Sequence, residues 1–123
     1  MSTCSEDYWR PLESVLGCDR CVGFMFMGQL SNGINQYKHG ISRQYLFLDD
    51  DGVAYERVKD GAFRRIATRE AIARIEESLQ EMGETLETPY DSTYISRKDA
   101  ALRAAGFKVL RFMIDPRAEH ELN

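Results

Sequence analysis

Between residues 68 and 83 the apolar side chains recur every three or four positions. Ile72, Ile75, Leu79 and Met82 in "TREAIARIEESLQEMG" form one stripe of a helix. Thr68 is the candidate N-cap, Glu70 sits in the first turn and Gly83 closes the segment. Residues 5–17, "SEDYWRPLESVLG", carry a narrower stripe of Leu12, Val15 and Leu16. Pro11 moves the start of that helix to near Arg10, where proline is tolerated in the first turn, and Gly17 ends it.

Between these helices the period shortens. Five strand-like segments, 22–30, 34–38, 43–48, 53–58 and 62–66, are separated by "SNG", "HGIS", "DDDG" and "KDG". The separators are short and contain glycine, so neighbouring strands are expected to pair as antiparallel hairpins. The first, "VGFMFMGQL", is apolar on both faces, which predicts a central strand or one covered on both sides. Downstream, "SRKDAALRAAG" reads as a shorter helix, with Ser96 and Asp99 as a capping pattern and Gly106 as its stop. "FKVLRFMI" reads as a closing strand, and 116–123 as a polar tail. The expected fold is α+β: a single layer of antiparallel β-meander, about five strands, with helices packed on it. An N-terminal helix precedes the sheet; two helices and a C-terminal strand follow. The 123 residues are expected to form one domain.

Turn lengths predict the register. If "DDDG" closes a four-residue loop, Leu48 faces Val53 and Tyr45 faces Glu56. If "KDG" closes a three-residue loop, Glu56 faces Arg64. If "HGIS" is the turn, Lys38 and Arg43 stand opposite each other, which is unfavourable unless a carboxylate or a bound anion intervenes. These pairings gather Tyr37, Lys38, His39, Arg43, Tyr45, Glu56 and Arg64 into a candidate ligand-binding cluster around Glu56. His39, at the turn, would titrate near neutrality.

Other motifs fall short of their chemistry. "CDRC" gives Cys18 and Cys21 half of a zinc spacing without a second pair. "LDDDG" lacks the alternating acids of a calcium loop. No glycine-rich phosphate loop or dinucleotide fingerprint is present, so no metal and no cofactor is expected. "KDAALRAAGFKVLRF" locally resembles the closing helix and strand of small restriction-endonuclease-like proteins. That resemblance implies an Asp followed by Glu-x-Lys holding a catalytic metal. The nearest residues here are Asp49 to Asp51 and Glu56 to Val58, with Lys59 one place late.

Composition changes the picture in three ways. Net charge is −4, so there is no global basic field for nucleic acid. The charge is nevertheless segregated. Arg57, Lys59, Arg64, Arg65, Arg69 and Arg74 cluster in 57–74, and 76–91 holds six acids and no base. An odd three cysteines, no apolar run of membrane length and an acidic N-terminus predict a reduced, cytoplasmic protein with no membrane contact. The sequence therefore favours a non-enzymatic binding or regulatory protein that contacts a protein partner or itself, as in a homodimer. Two alternatives remain. One is nucleic-acid binding, or metal-dependent cleavage through Asp50 and Glu56. The other is a small-molecule module lined by Tyr45 and Tyr55.

Overall fold

Turns of three to five residues leave no room for crossovers, so each strand pairs with its neighbour in the chain. The computed structural model, which describes residues 7–106, has this arrangement. Strands β1 (Phe24–Gln29), β2 (Asn35–His39), β3 (Tyr45–Leu48), β4 (Ala54–Arg57) and β5 (Phe63–Ile66) form one antiparallel sheet in the order β1-β2-β3-β4-β5. Helix α1 (Arg10–Leu16) precedes it, and α2 (Thr68–Glu81) and α3 (Ser92–Ala104) follow. This is the α+β meander that the hydrophobic pattern predicts. The chain divides into two compact units, Met1–Pro89 and Tyr90–Asn123; the sheet, α1 and α2 belong to the first and α3 to the second. The expected closing strand and the 116–123 tail lie outside the described residues. Among the described residues no helix is long and apolar enough to cross a membrane.

Paired side chains in a ladder point to the same side, which defines two faces. The inner face carries Tyr37, Leu46, Leu48 and Ala54, all at most 1% exposed. Ala71, Ile75 and Leu79 of α2 and Leu12 and Leu16 of α1 complete this core. Pro11 stands in the first turn of α1, where its missing N–H costs nothing. The outer face carries Lys38, Tyr45, Phe47, Tyr55, Arg57, Phe63 and Arg65.

Several details differ from expectation. The N-cap of α2 is Ala67, which makes no side-chain cap bond; the Thr68 hydroxyl instead points to the Gly52 carbonyl at 3.5 Å. Met82 is 43% exposed, outside the buried stripe. Helix α3 starts four residues earlier than Ser96, because the Asp91 carboxylate accepts the Tyr94 N–H at 3.0 Å and caps it there. Strand β1 is not central: among the described residues it is an edge of the sheet, with Met27 46% exposed.

Two registers also differ, and a side chain causes each shift. His39 Nδ1 accepts the N–H groups of Ile41 and Ser42 at 3.2 and 3.3 Å. The β2–β3 turn therefore runs over 40–43, and Lys38 faces Tyr45 rather than Arg43. Arg43 closes the turn in the left-handed region, at φ 65°. In the next turn Asp49 Oδ1 accepts from the N–H of Asp51 and of Val53, and Leu48 faces Ala54 rather than Val53. Glu56 consequently moves to the inner face, away from Tyr45. The β4–β5 register, Glu56 opposite Arg64, is as predicted.

Candidate functional site

The residues expected to form one cluster occupy four different environments. Tyr37 is fully buried; its hydroxyl donates to the Tyr8 carbonyl at 2.6 Å and its ring lies against Trp9 and Phe26. Burial, with the Asp50 charge, pushes its phenol far above the ordinary range. His39 is also fully buried, edge-on to Phe24 at 4.8 Å. Because Nδ1 is an acceptor in the turn, the ring is the Nε2–H tautomer, and Nε2 has no hydrogen-bond partner. Burial pushes its pKa down to about 4, so at neutral pH it is a neutral structural group. Arg43 sits in the turn, near the Gly40 carbonyl.

Glu56 and Arg64 do meet, and Arg74 of α2 joins them. Arg74 Nη1 donates to Glu56 Oε1 at 2.8 Å, and Arg64 Nε to Oε2 at 3.0 Å. The bond from Arg74, then that from Arg64, holds the Glu56 carboxyl below its usual range. Glu56 therefore neutralises Arg64 and Arg74, not Lys38 or Arg43.

Lys38 and Tyr45 belong to the outer face, where a continuous array appears. The Lys38 ammonium lies 5.6 Å from the centre of the Tyr45 ring. Tyr45 stacks on Phe47 at 5.5 Å and 10°, and Phe47 meets Phe63 edge-on at 5.0 Å. The Arg57 guanidinium covers both Phe47 and Phe63, at 5.5 and 5.2 Å. Ring quadrupoles stabilise these cations without a carboxylate. Among the described residues Lys38, Arg57 and Arg65 form no ion pair. Tyr55 donates its hydroxyl to Asp49 Oδ2 at 2.9 Å. Burial raises the Asp49 pKa, but its bonds from Val53, Tyr55 and Asp51 outweigh that and hold it low.

Sequence reasoning missed Phe47, Arg57, Phe63 and Arg65 as members of this array, and Arg74 as a partner of Glu56. A signal for the array exists. The odd-numbered positions of β3, β4 and β5 read Tyr45, Phe47, Tyr55, Arg57, Phe63, Arg65. It becomes visible only with the correct alternation. For metal chemistry, Asp50 accepts from Gln29 and Asn35 while Glu56 is held by arginines. Among the described residues no three His, Cys, Asp or Glu side chains gather. Cys18 is exposed and Cys21 buried, its thiol donating to the Gly17 carbonyl. Comparison of the chain with protein-family models, curated proteins and solved structures finds no match.

Proposed function

We propose that the chain is a non-enzymatic binding module that takes an acidic protein partner on the outer face of its sheet. The observation that carries this reading is the ring-and-cation array of Lys38, Tyr45, Phe47, Arg57 and Phe63. Tyrosine, phenylalanine, methionine and arginine are the residue types enriched at the centres of protein interfaces. Here the rings fix the cations before binding, so little side-chain entropy remains to be lost. The two cations of the array, Lys38 and Arg57, form no ion pair among the described residues and favour carboxylates on the other side. The titratable groups elsewhere support binding over catalysis. His39 is held in the core, Glu56 between arginines and Asp49 in its turn.

The test is peptide selection against the full chain, with counter-selection against Arg57→Glu. Enrichment of peptides carrying carboxylates beside aromatic or aliphatic anchors, lost in Arg57→Glu and Tyr45→Ala, supports the reading. Light scattering tests a second copy as the partner: a concentration-dependent dimer that Arg57→Glu dissolves assigns that role to the chain itself. Salt-sensitive binding of single-stranded oligothymidine with no peptide enrichment overturns the reading in favour of nucleic acid.

A further inference from the structure

The "SNG" separator forms the turn between β1 and β2, through Ser31, Asn32 and Gly33. The Leu30 N–H donates to the Ile34 carbonyl at 2.8 Å, and the Gly33 N–H to the Leu30 carbonyl at 2.9 Å. Gly33 closes the turn in the left-handed region, at φ 88°. Among the described residues nothing lies within 4 Å of the place a Cβ of Gly33 would take. Asn32 is exposed, and its Oδ1 accepts the Ile34 N–H at 3.1 Å. A side chain that bonds two residues onward lies back along the main chain, beside the nitrogen of the residue between.

These groups supply a nucleophile, an electrophile and a donor. The Gly33 nitrogen is shielded by no side chain of its own. The Asn32 amide carbon is held beside it, and the Ile34 N–H polarises Oδ1 and supports the negative charge that develops there during an attack. Asn35, three residues on, has none of this freedom. It is 1% exposed, and its Nδ2 donates to the Leu48 carbonyl and to Asp50 Oδ1, both at 3.1 Å. The residue after it, Gln36, is tied into the ladder between Gly28 and Phe47.

We infer that Asn32 is a modification site, at which the chain converts its own amide to a carboxylate. The Gly33 N–H loses its proton to hydroxide, and the nitrogen attacks Asn32 Cγ. A C–N bond forms and the Cγ–Nδ2 bond breaks; Nδ2 takes a proton from water and leaves as ammonia. Water then opens the five-membered imide at either carbonyl. Opening at Cγ gives aspartate. Opening at the main-chain carbonyl gives isoaspartate, whose main chain runs through the side-chain carbons. Nothing is oxidised or reduced. Both products add a negative charge, and isoaspartate also adds one carbon to the main chain of the turn. Turn length sets strand register, so the longer turn loosens the Leu30–Ile34 pair and with it β1. None of these residues belongs to the outer-face array, so the inference stands whatever that face binds.

The test is incubation of the full chain in mildly alkaline heavy-oxygen water, then digestion in ordinary water and mass spectrometry. The tryptic fragment 21–38 holds Asn32 and Asn35 together, so each sample carries its own control. The expected result is aspartate and isoaspartate at position 32, each with one heavy oxygen and told apart by electron-based fragmentation, beside an unchanged Asn35. The bond from Gly33 to Leu30 must open before the attack, so conversion should run about tenfold more slowly than in the chain unfolded in denaturant. Amide exchange should accelerate along β1 in the aged protein. Asn32→Asp, which adds the charge without lengthening the turn, should keep the exchange pattern of the fresh protein. Asn32 left intact over about a hundredfold the time that the unfolded chain needs overturns the inference. Asn35 converting as fast as Asn32 in the folded chain does so too. An isoaspartate-rich sample with the exchange pattern of the fresh protein overturns the loosening of β1.

Discussion

The inner and outer faces of the meander come from the same strands but treat polarity in opposite ways. On the inner face the buried polar side chains bond locally: the Tyr37 hydroxyl binds Tyr8, Asn35 binds the Leu48 carbonyl, and His39 Nδ1 caps its turn, while His39 Nε2 has no partner. On the outer face full charges lie over aromatic rings, and Tyr45 remains 40% exposed. Burial makes each unpaired polar atom costly, whereas a half-wet surface lets rings and water share the work of pairing. The inner face therefore supplies most of the stability, and the outer face is free to supply contact.

Breaking the inner face should cost most. Leu48→Ala removes a fully buried side chain and should destabilise by about 2–5 kcal/mol in chemical denaturation. A loss comparable to that of a surface change would mean that the interior collapses around the gap.

Acid attacks the same face through His39. The unfolded imidazole takes up its proton near pH 6.5, while burial delays protonation in the folded chain to about pH 4. Stability is full above the higher value and falls as pH drops between the two, by up to about 3 kcal/mol. Denaturation midpoints measured across that range should flatten in His39→Leu.

Gly23→Ala presses on the same ring from another side. A methyl there would lie 2.6 Å from His39 Nε2 and 3.2 Å from the Thr88 carbonyl. One neighbour is a fully buried ring and the other is main chain, so a loss of about 1–3 kcal/mol is expected in a melting experiment. Tyr37→Phe, which leaves the ring and deletes the bond to Tyr8, should cost about 1 kcal/mol in the same assay.

The outer face should respond least in stability and most in contact. Arg57→Glu and Tyr45→Ala are each expected to change stability by less than about 1 kcal/mol, since both side chains are exposed. A large destabilisation by either would erase the distinction between the faces.

The architecture was legible because periodicity and short turns dictate it. The change from helical spacing at Ile72, Ile75 and Leu79 to short segments separated by Gly and Asp is enough for a meander between helices. The β4–β5 register was legible as well, since Asp60 and Gly61 adopt left-handed backbone in a three-residue turn. The other two registers were hidden because His39 and Asp49 fold their own side chains back onto the turns. Part of the candidate site is hidden with them: the predicted pairings place Lys38 and Glu56 in one cluster, whereas the observed registers put them on opposite faces. The Glu56–Arg64 pair is as predicted because the three-residue turn between β4 and β5 alone sets its register. Arg74, arriving from α2, could be found only from the tertiary packing.

The nearest-neighbour strand order also bears on how quickly the chain finds its structure. Each described strand pairing closes a loop of only a few residues, so little chain must be searched before contacts form. Mixed domains with such local pairings reach the native state faster than sheets built from distant strands. Exposed strand edges should accordingly be short-lived during synthesis, and the half-made sheet has little time to meet another copy of itself.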